Sequence, residues 1–183
     1  MTVADSYALR TLLPEDLETV LAWRNHPSVR RFMFDAAMIT PEQHRAWFNR
    51  VSADADRELL LYSEHGVSMG FMQFAREMGH QRVEWGFYTA PESLRGTGSR
   101  MCRHALARLF AVPDVHKLTG RVLDFNQASR HLHQRLGFTE EACLREHHFD
   151  GSQWRSVYAY GLLRDEWLMG RTLMGSTEEA RLP

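Results

Sequence analysis

The stretch from Val83 to Arg100 constrains the fold more than any other part of the chain. It begins as an apolar strand that ends at Tyr88, passes through a loop marked by Pro91, and reaches a glycine-rich turn that opens a long amphipathic helix. Such a turn presents unpaired backbone N–H groups at the positive end of the helix dipole. The sequence therefore predicts a phosphate or pyrophosphate site at this strand-to-helix junction.

The composition is that of an ordinary globular chain, with 183 residues of which 44% are hydrophobic and 25% are charged. This length predicts a single domain over 1–183, with a core at about 6–165 and a C-terminal tail at 166–183. A net charge of −1 gives no electrostatic reason to expect a nucleic-acid partner. The chain shows neither a signal-peptide pattern nor a long apolar run, and Cys102 and Cys143 are predicted to be buried free thiols. We therefore expect a cytoplasmic protein that does not enter the membrane.

Strand and helix patterns alternate along the chain and predict an α/β fold, a mixed sheet with helices on both faces that is also compatible with an α+β description. The predicted strands are Tyr7–Leu13, Glu58–Ser63, Val67–Arg76, Arg82–Tyr88, His116–Leu123, Phe138–His148 and Trp154–Leu163. The predicted helices are Pro14–Asn25, Thr40–Val51, the helix after the glycine-rich turn, Asn126–Leu136, and a short one from Arg164. Turns are expected at 65–66, 78–80 and 150–151. Gly86 inside its strand predicts a bulge or a close backbone approach.

Two motifs, each on the element where it is needed, resemble those of the GNAT acyltransferase superfamily. The first is the pyrophosphate loop, which here consists of Arg95, Gly96, Thr97, Gly98, Ser99 and Arg100, with Arg100 at a position where the family has a small residue. The second runs from Asn126 through Ser129, Leu132 and His133 to Gly137 and Phe138. The pair is more specific than either motif alone. The resemblance covers about residues 6–165.

This resemblance implies acetyl-CoA as co-substrate, transfer of its acetyl group to an amine, and a mixed, mostly antiparallel sheet. It also implies that the strand ending at Tyr88 separates from its neighbour so that acetyl-CoA inserts between them. Backbone N–H groups near Phe87 and Tyr88 would then polarise the thioester carbonyl. Asn126, which also suits a helix N-cap, and Ser129 are expected beside the pantetheine arm.

The N-terminal segments Trp23–Pro27 and Ile39–His44 are similar to those of the amino-sugar N-acetyltransferases of pseudaminic acid biosynthesis. Those enzymes acetylate the 4-amino group of a UDP-linked 4-amino-4,6-dideoxy sugar. The likeness places the acceptor beside one segment of the chain, where arginine forks suit a diphosphate and aromatic rings suit a base or sugar. The predicted acceptor-binding residues are Trp23, Arg24, Asn25, Arg30, Arg31 and Phe34. For each of them a core position or a solvated surface position is the alternative.

Three residues are candidates for proton transfer. Glu84 lies where relatives often have a catalytic glutamate, although a solvated charge or an ion pair would equally explain it. His44 resembles in position a histidine implicated as the base of the amino-sugar enzymes, and imidazole suits that role near neutral pH, whereas an exposed helix residue is the alternative. His133 occupies the place of a tyrosine general acid, and packing against the cofactor or surface placement is the alternative reading.

Other functions remain open at this level. The segment Trp23–Asn25 also occurs in protein N-terminal acetyltransferases of the ribosomal-protein type, and a non-catalytic acetyl-CoA-binding module would tolerate both Arg100 and His133. The relatives often form homodimers, so the resemblance also implies a homodimer. No metal site is expected, because His131 and His133 lie about 200° apart around their helix.

Overall fold

The computed structural model describes residues 7–77 and 81–170. Its strands form one seven-stranded sheet in the order β1-β2-β3-β4-β5-β7-β6. The strands are β1 (Tyr7–Thr11), β2 (Arg57–Glu64), β3 (Val67–Arg76), β4 (Arg82–Thr89), β5 (Lys117–Leu123), β6 (Thr139–Phe149) and β7 (Trp154–Leu163). Neighbouring strands are antiparallel except for β4 and β5, which are parallel. The predicted mixed sheet is confirmed.

The structure has six α-helices in the part of the chain that it describes. They are α1 (Leu17–Asn25), α2 (Pro27–Arg30), α3 (Pro41–Ser52), α4 (Thr97–Phe110), α5 (Gln127–Arg135) and α6 (164–170). A 3-10 turn precedes α1, and α2 was not predicted. Thr40 forms the expected capping box, in which its hydroxyl accepts from the Gln43 N–H while its own N–H donates to the Gln43 side chain. The predicted turn at 78–80 and the end of the tail, 171–183, lie outside the described residues.

Alternate side chains of β2 show that helices cover both faces of the sheet. Leu60 and Tyr62 are buried in the core that α4 and α5 cover. Leu59 and Leu61 belong instead to the core beneath α1 and α3. Since successive strand residues point to opposite faces, the continuous apolar pattern of this strand follows from burial on both sides.

The amphipathic pattern of α4 is confirmed, since its apolar face is buried throughout. Burying each large side chain of that face contributes about 1.5–3 kcal/mol. Burial also raises the pKa of the Cys102 thiol, which makes it a poor nucleophile. The prediction that Cys143 is buried was wrong, because it lies exposed on β6, an edge strand of the sheet in which no residue is buried.

The separation of β4 from β5 creates the opening in which the site lies. The two strands pair only from Arg82 with Lys117 to Glu84 with Thr119. Beyond Glu84, β4 continues along β3 as far as Thr89, while β5 follows β7. The β3–β4 register is regular through Gly86, so the predicted bulge is wrong; a side chain there would instead meet Gln73, 3.0 Å away.

Candidate functional site

Three cavities meet at Met33 and Phe87, which line all of them. The loop groove, about 340 Å³, runs from the glycine-rich turn past α5. The strand cleft, about 280 Å³, lies between the separated ends of β4 and β5. The helix pocket, about 470 Å³, lies between α3, β3 and β4. The loop groove and the helix pocket therefore approach the backbone at Phe87 from two separate sides, one for each of two reactants.

The loop groove has the wall that a pyrophosphate needs. Gly96 caps α4 with φ +96°, a left-handed conformation that favours glycine. Its carbonyl oxygen accepts a hydrogen bond from the Arg100 N–H. Within the described chain, the amides of Gly98 and Ser99 have no backbone acceptor. These residues therefore fit a phosphate group at the positive end of the helix.

The other residues of the glycine-rich turn are placed differently. Arg95 is exposed, and Thr97 is 1% exposed beneath the turn, so the Thr97 side chain cannot reach the groove. The Arg100 guanidinium is held by Glu64 and by the Thr97 hydroxyl. Of the six residues of the turn, only Gly96 and Gly98 line the loop groove.

Asn126 and Ser129 lie at the opposite side of the same groove. The Asn126 side chain accepts the Ser129 N–H at 3.1 Å, which confirms the predicted N-cap of α5. Asn126 also lines the groove in which the pantetheine arm is expected. That contact stays a prediction.

The strand register selects one backbone donor at the junction of the cavities. The Ala90 N–H donates to Met69, and hydrogen-bonded pairs alternate along an antiparallel ladder. Tyr88 therefore pairs with β3, whereas the N–H of Phe87 faces the opening left by β5. Of the two predicted donors, only Phe87 can offer its N–H to a carbonyl placed between the strands.

His133 lies in the core rather than at an exposed helix face. It is 2% exposed, its Nδ1–H donates to the Ser129 carbonyl at 2.8 Å, and its Nε2 accepts from the Trp85 indole at 3.1 Å. Burial lowers its pKa to about 4, against which the hydrogen bond to Ser129 acts only partly. The predicted acid role does not fit this environment, because the ring is neutral near pH 7 and both nitrogens are occupied.

His44 lies on the wall of the helix pocket, near the start of α3. It is 5% exposed and stacks on Trp47 with ring centroids 5.1 Å apart, so it is not the exposed helix residue that the sequence allowed. Burial, and then the positive charge of Arg24, lower its pKa from the ordinary value. The imidazole is therefore neutral near pH 7, which is the form that accepts a proton.

Arg24 brings a positive charge to the same pocket. One of its nitrogens, Nη2, donates to the Asp35 carbonyl, while Nη1 is buried and has no partner among the described residues. Burial lowers the pKa of the guanidinium, which still stays charged. A buried donor without a partner is costly, so Nη1 is a group that a bound acceptor could satisfy.

Four of the six predicted acceptor-binding residues lie elsewhere. Trp23 packs against the core beneath α1, and both ends of the Asn25 side-chain amide pair with the backbone of Ile39. Arg31 is exposed and covers the ring of Phe32, while Arg30 lies outside the walls of all three cavities. The structure therefore does not bring these four side chains to the helix pocket. Trp23 and Asn25 are used within the fold on α1, whereas Arg30 and Arg31, at the end of α2, lie outside the cavity walls. Their role in binding the acceptor stays a prediction.

Glu84 and Phe34 lie at the strand cleft. The Glu84 carboxylate accepts from Arg121 at 2.7 Å, which is the ion pair that the sequence left open. Phe34 is 41% exposed, and the Cζ atom of Arg121 lies over its ring, 5.7 Å from the ring centroid. The two residues therefore form the rim of the cleft and do not reach into the helix pocket.

Sequence reasoning missed most of the wall of the helix pocket, including Trp47, Phe71 and Gln73. Trp47 and Phe71 gave no signal, because an aromatic residue in an apolar pattern is as well explained by a core position. Gln73 had a signal, since it is a polar residue on the same face of β3 as Phe71 and is flanked by apolar neighbours.

Within residues 7–77 and 81–170, no three His, Cys, Asp or Glu side chains gather where they could hold a metal ion. No helix there is long and apolar enough to cross a bilayer.

The family profile of the acetyltransferase (GNAT) domain matches residues 7–139. The chain is similar to the acetyltransferase PseH of Campylobacter jejuni, 25% identical over 68% of this chain and 78% of that protein. It is also similar to the spermidine N(1)-acetyltransferase of Escherichia coli, 25% identical over 97% of this chain and 96% of that protein. The phosphinothricin N-acetyltransferase of Streptomyces coelicolor is 30% identical over 75% of this chain and 85% of its own length.

Solved structures share the fold. The spermidine N-acetyltransferase of Vibrio cholerae, in complex with CoA and spermine, has a TM-score of 0.83 at 21% identity over 90% of this chain and 99% of that chain. The protein yncA of Salmonella typhimurium, solved with its cofactor acetyl-CoA, has a TM-score of 0.74 at 20% identity over 88% of this chain and 96% of that chain.

Proposed function

Because the chain belongs to the GNAT acetyltransferase family and uses acetyl-CoA as its acetyl donor, we propose that it acetylates the 4-amino group of a UDP-linked 4-amino-4,6-dideoxy sugar. The observation that carries this proposal is the helix pocket, where a neutral imidazole and an unpaired guanidinium nitrogen share an otherwise largely apolar wall. A deoxy sugar presents an apolar methyl group, and its diphosphate would satisfy Arg24.

The transfer itself would be a direct attack in a ternary complex. His44 takes a proton from the acceptor ammonium, and the freed amine attacks the thioester carbonyl between the strands. The Phe87 N–H donates to the carbonyl oxygen as negative charge develops on it. No dedicated acid is required, because a thiol with a pKa of about 8.5 leaves readily as the thiolate.

Polyamine acetylation is the second candidate, favoured by the similarity to spermidine acetyltransferases over almost the whole chain. A polyamine carries several positive charges and needs carboxylates to bind it. The described wall of the helix pocket offers one carboxylate, Asp35, against the guanidinium of Arg24. This charge distribution favours an anionic acceptor over a polycation or the ammonium end of a peptide.

The acceptor proposal is tested by measuring CoA release from acetyl-CoA with three acceptors: the UDP-4-amino-4,6-dideoxy sugar, spermidine, and a panel of N-terminal peptides. We expect turnover on the nucleotide sugar, and Arg24→Met should raise its KM about tenfold by removing one charge-assisted hydrogen bond. Turnover on spermidine or peptides alone would overturn the proposal. Tight acetyl-CoA binding without turnover on any amine would indicate a binding module instead.

The loop groove gives a second prediction. A methyl group at Gly98 would meet Thr89 at 3.6 Å and Leu132 at 3.9 Å, which is ordinary contact. Gly98→Ala should therefore bind acetyl-CoA nearly normally, whereas the ring of Gly98→Phe would fill the groove and weaken binding by at least about tenfold. Isothermal titration calorimetry with acetyl-CoA measures both, and equal affinities would remove the groove assignment.

Two further predictions from the sequence stay predictions, namely the cytoplasmic location and the homodimer.

A further inference from the structure

Arg100 occupies the last position of the pyrophosphate loop, where the family has a small residue, and its guanidinium is fixed on several sides. Its Nε and Nη2 donate to the two carboxylate oxygens of Glu64 at 2.9 and 3.0 Å. Its Nη2 also donates to the Thr97 hydroxyl at 3.1 Å. Its Nη1 lies against Gly96, 2.9 Å from the position where a Cβ would stand. One side chain thus contacts both the cap and the first turn of α4.

The partner of this arginine is a buried carboxylate at the end of β2. Glu64 is 7% exposed and accepts a third hydrogen bond, from the Tyr62 hydroxyl at 3.0 Å. The hydrogen bonds from Arg100 come first among the causes that lower the pKa of Glu64, so the pair is ionised. The Arg100 side chain is 35% exposed, so the pair is part-buried, and the two bonds from one guanidinium together with the Tyr62 hydroxyl fix its geometry.

The position of Arg100 is unfavourable for the isolated helix, because a cation in the first turn opposes the helix dipole. The pair therefore stabilises the structure through the groups that it holds in place, which are Thr97 and the Gly96 turn. We propose that Glu64 is a positioning residue for acetyl-CoA binding: through Arg100 it braces the Gly96 turn so that the free amides of Gly98 and Ser99 are oriented before the pyrophosphate arrives. Preorganised donors bind more tightly, since no ordering is left to occur on binding.

This proposal depends on the family assignment and the acetyl donor, and is independent of the acceptor amine. It also makes a prediction opposite to that of simple electrostatics. If charge alone mattered, removing the negative Glu64 would strengthen binding of an anionic cofactor. If Glu64 positions the turn, its removal weakens binding.

The test is the affinity of Glu64→Gln for two donors, acetyl-CoA and S-acetylpantetheine, which lacks the pyrophosphate. We expect the Kd of acetyl-CoA to rise about tenfold, the effect of one charge-assisted hydrogen bond, while the Kd of S-acetylpantetheine stays unchanged. Arg100→Lys should behave in the same way, because lysine keeps the charge but cannot form the fork.

The chain offers a matched control on the same two elements. Arg108 of α4 pairs with Glu58 of β2 at the other end of the helix, with Nε 3.0 Å from the carboxylate, and far from the turn. Glu58→Gln should leave both affinities unchanged. The double variant Glu64→Gln with Arg100→Met leaves no buried charge unpaired, so it keeps the test valid if the single variant does not fold. Unchanged or tighter acetyl-CoA binding, or an equal loss for both donors, would overturn the proposal.

Discussion

Replacing His44 with alanine is expected to lower kcat by roughly two to three orders of magnitude, the usual effect of removing a general base. The affinity for acetyl-CoA should stay within about twofold, because His44 lies on the wall of the helix pocket and not of the loop groove. Steady-state kinetics with the nucleotide sugar and calorimetry with acetyl-CoA measure the two quantities separately. Loss of acetyl-CoA binding with normal turnover would contradict the role of base.

A control for this variant lies on the same helix. Asn49 is exposed on α3 and faces none of the three cavities that meet at Phe87. Asn49→Ala removes a similar amount of side chain without touching the site, so both kcat and affinity should remain at the wild-type level. A matching fall in kcat would mean that the effect comes from the helix and not from the imidazole.

The pH dependence of kcat provides an independent check on His44. Burial, and then Arg24, lower the pKa of the imidazole, so its basic form should persist below the ordinary value of 6.5. Arg24→Met removes the second cause only, and the pKa should rise toward that value. The acidic limb of the profile should therefore move to higher pH in this variant, and a limb that does not move would exclude His44 as the group that titrates.

The elements of the fold could be predicted from the sequence because their signals are local. Thr40 and Asn126 cap their helices with their own side chains, and His65 and Gly66 both have the positive φ that their hairpin turn requires. The caps and the turn depend on residues a few positions apart, so the local pattern contains them. The separation of β4 from β5 joins distant strands, and it was expected only from the resemblance to the GNAT superfamily.

The acceptor side could not be predicted in the same way. Asn25 pairs with Ile39 across fourteen positions, and this contact sets where the intervening loop turns. Arg24, which precedes this contact on α1, lines the helix pocket, whereas Arg31, within the loop that the contact closes, lies outside it. No local pattern encodes such a choice, because each of these arginines is equally polar and equally suited to a helix end. His133 was misplaced for a similar reason, since its burial depends on Trp85 from a distant strand.

That buried histidine should make the fold sensitive to acid. The His133 pKa is about 4 in the folded protein, against 6.5 for an ordinary histidine, so the unfolded chain binds the extra proton first as the pH falls. The resulting loss in the free energy of unfolding is absent above about pH 6.5 and is complete near pH 4, where it reaches about 3 kcal/mol. Its first cause is the burial of the ring, which disfavours the charged form. A protonated ring would also direct a second N–H at the Trp85 indole N–H, and two donors cannot bond to each other.

Denaturant unfolding of the wild type and of His133→Gln at pH 7, 6 and 5 measures this effect. The free energy of unfolding of the wild type should fall by about 2 kcal/mol more than that of the variant between pH 7 and pH 5. His131→Gln, an exposed substitution on the same helix, should keep the steep wild-type dependence. Parallel curves for the wild type and His133→Gln would mean that the His133 ring has the same pKa in the folded and unfolded states. The ring could then be protonated near neutral pH, and the role of acid that donates to the CoA thiolate would again fit it.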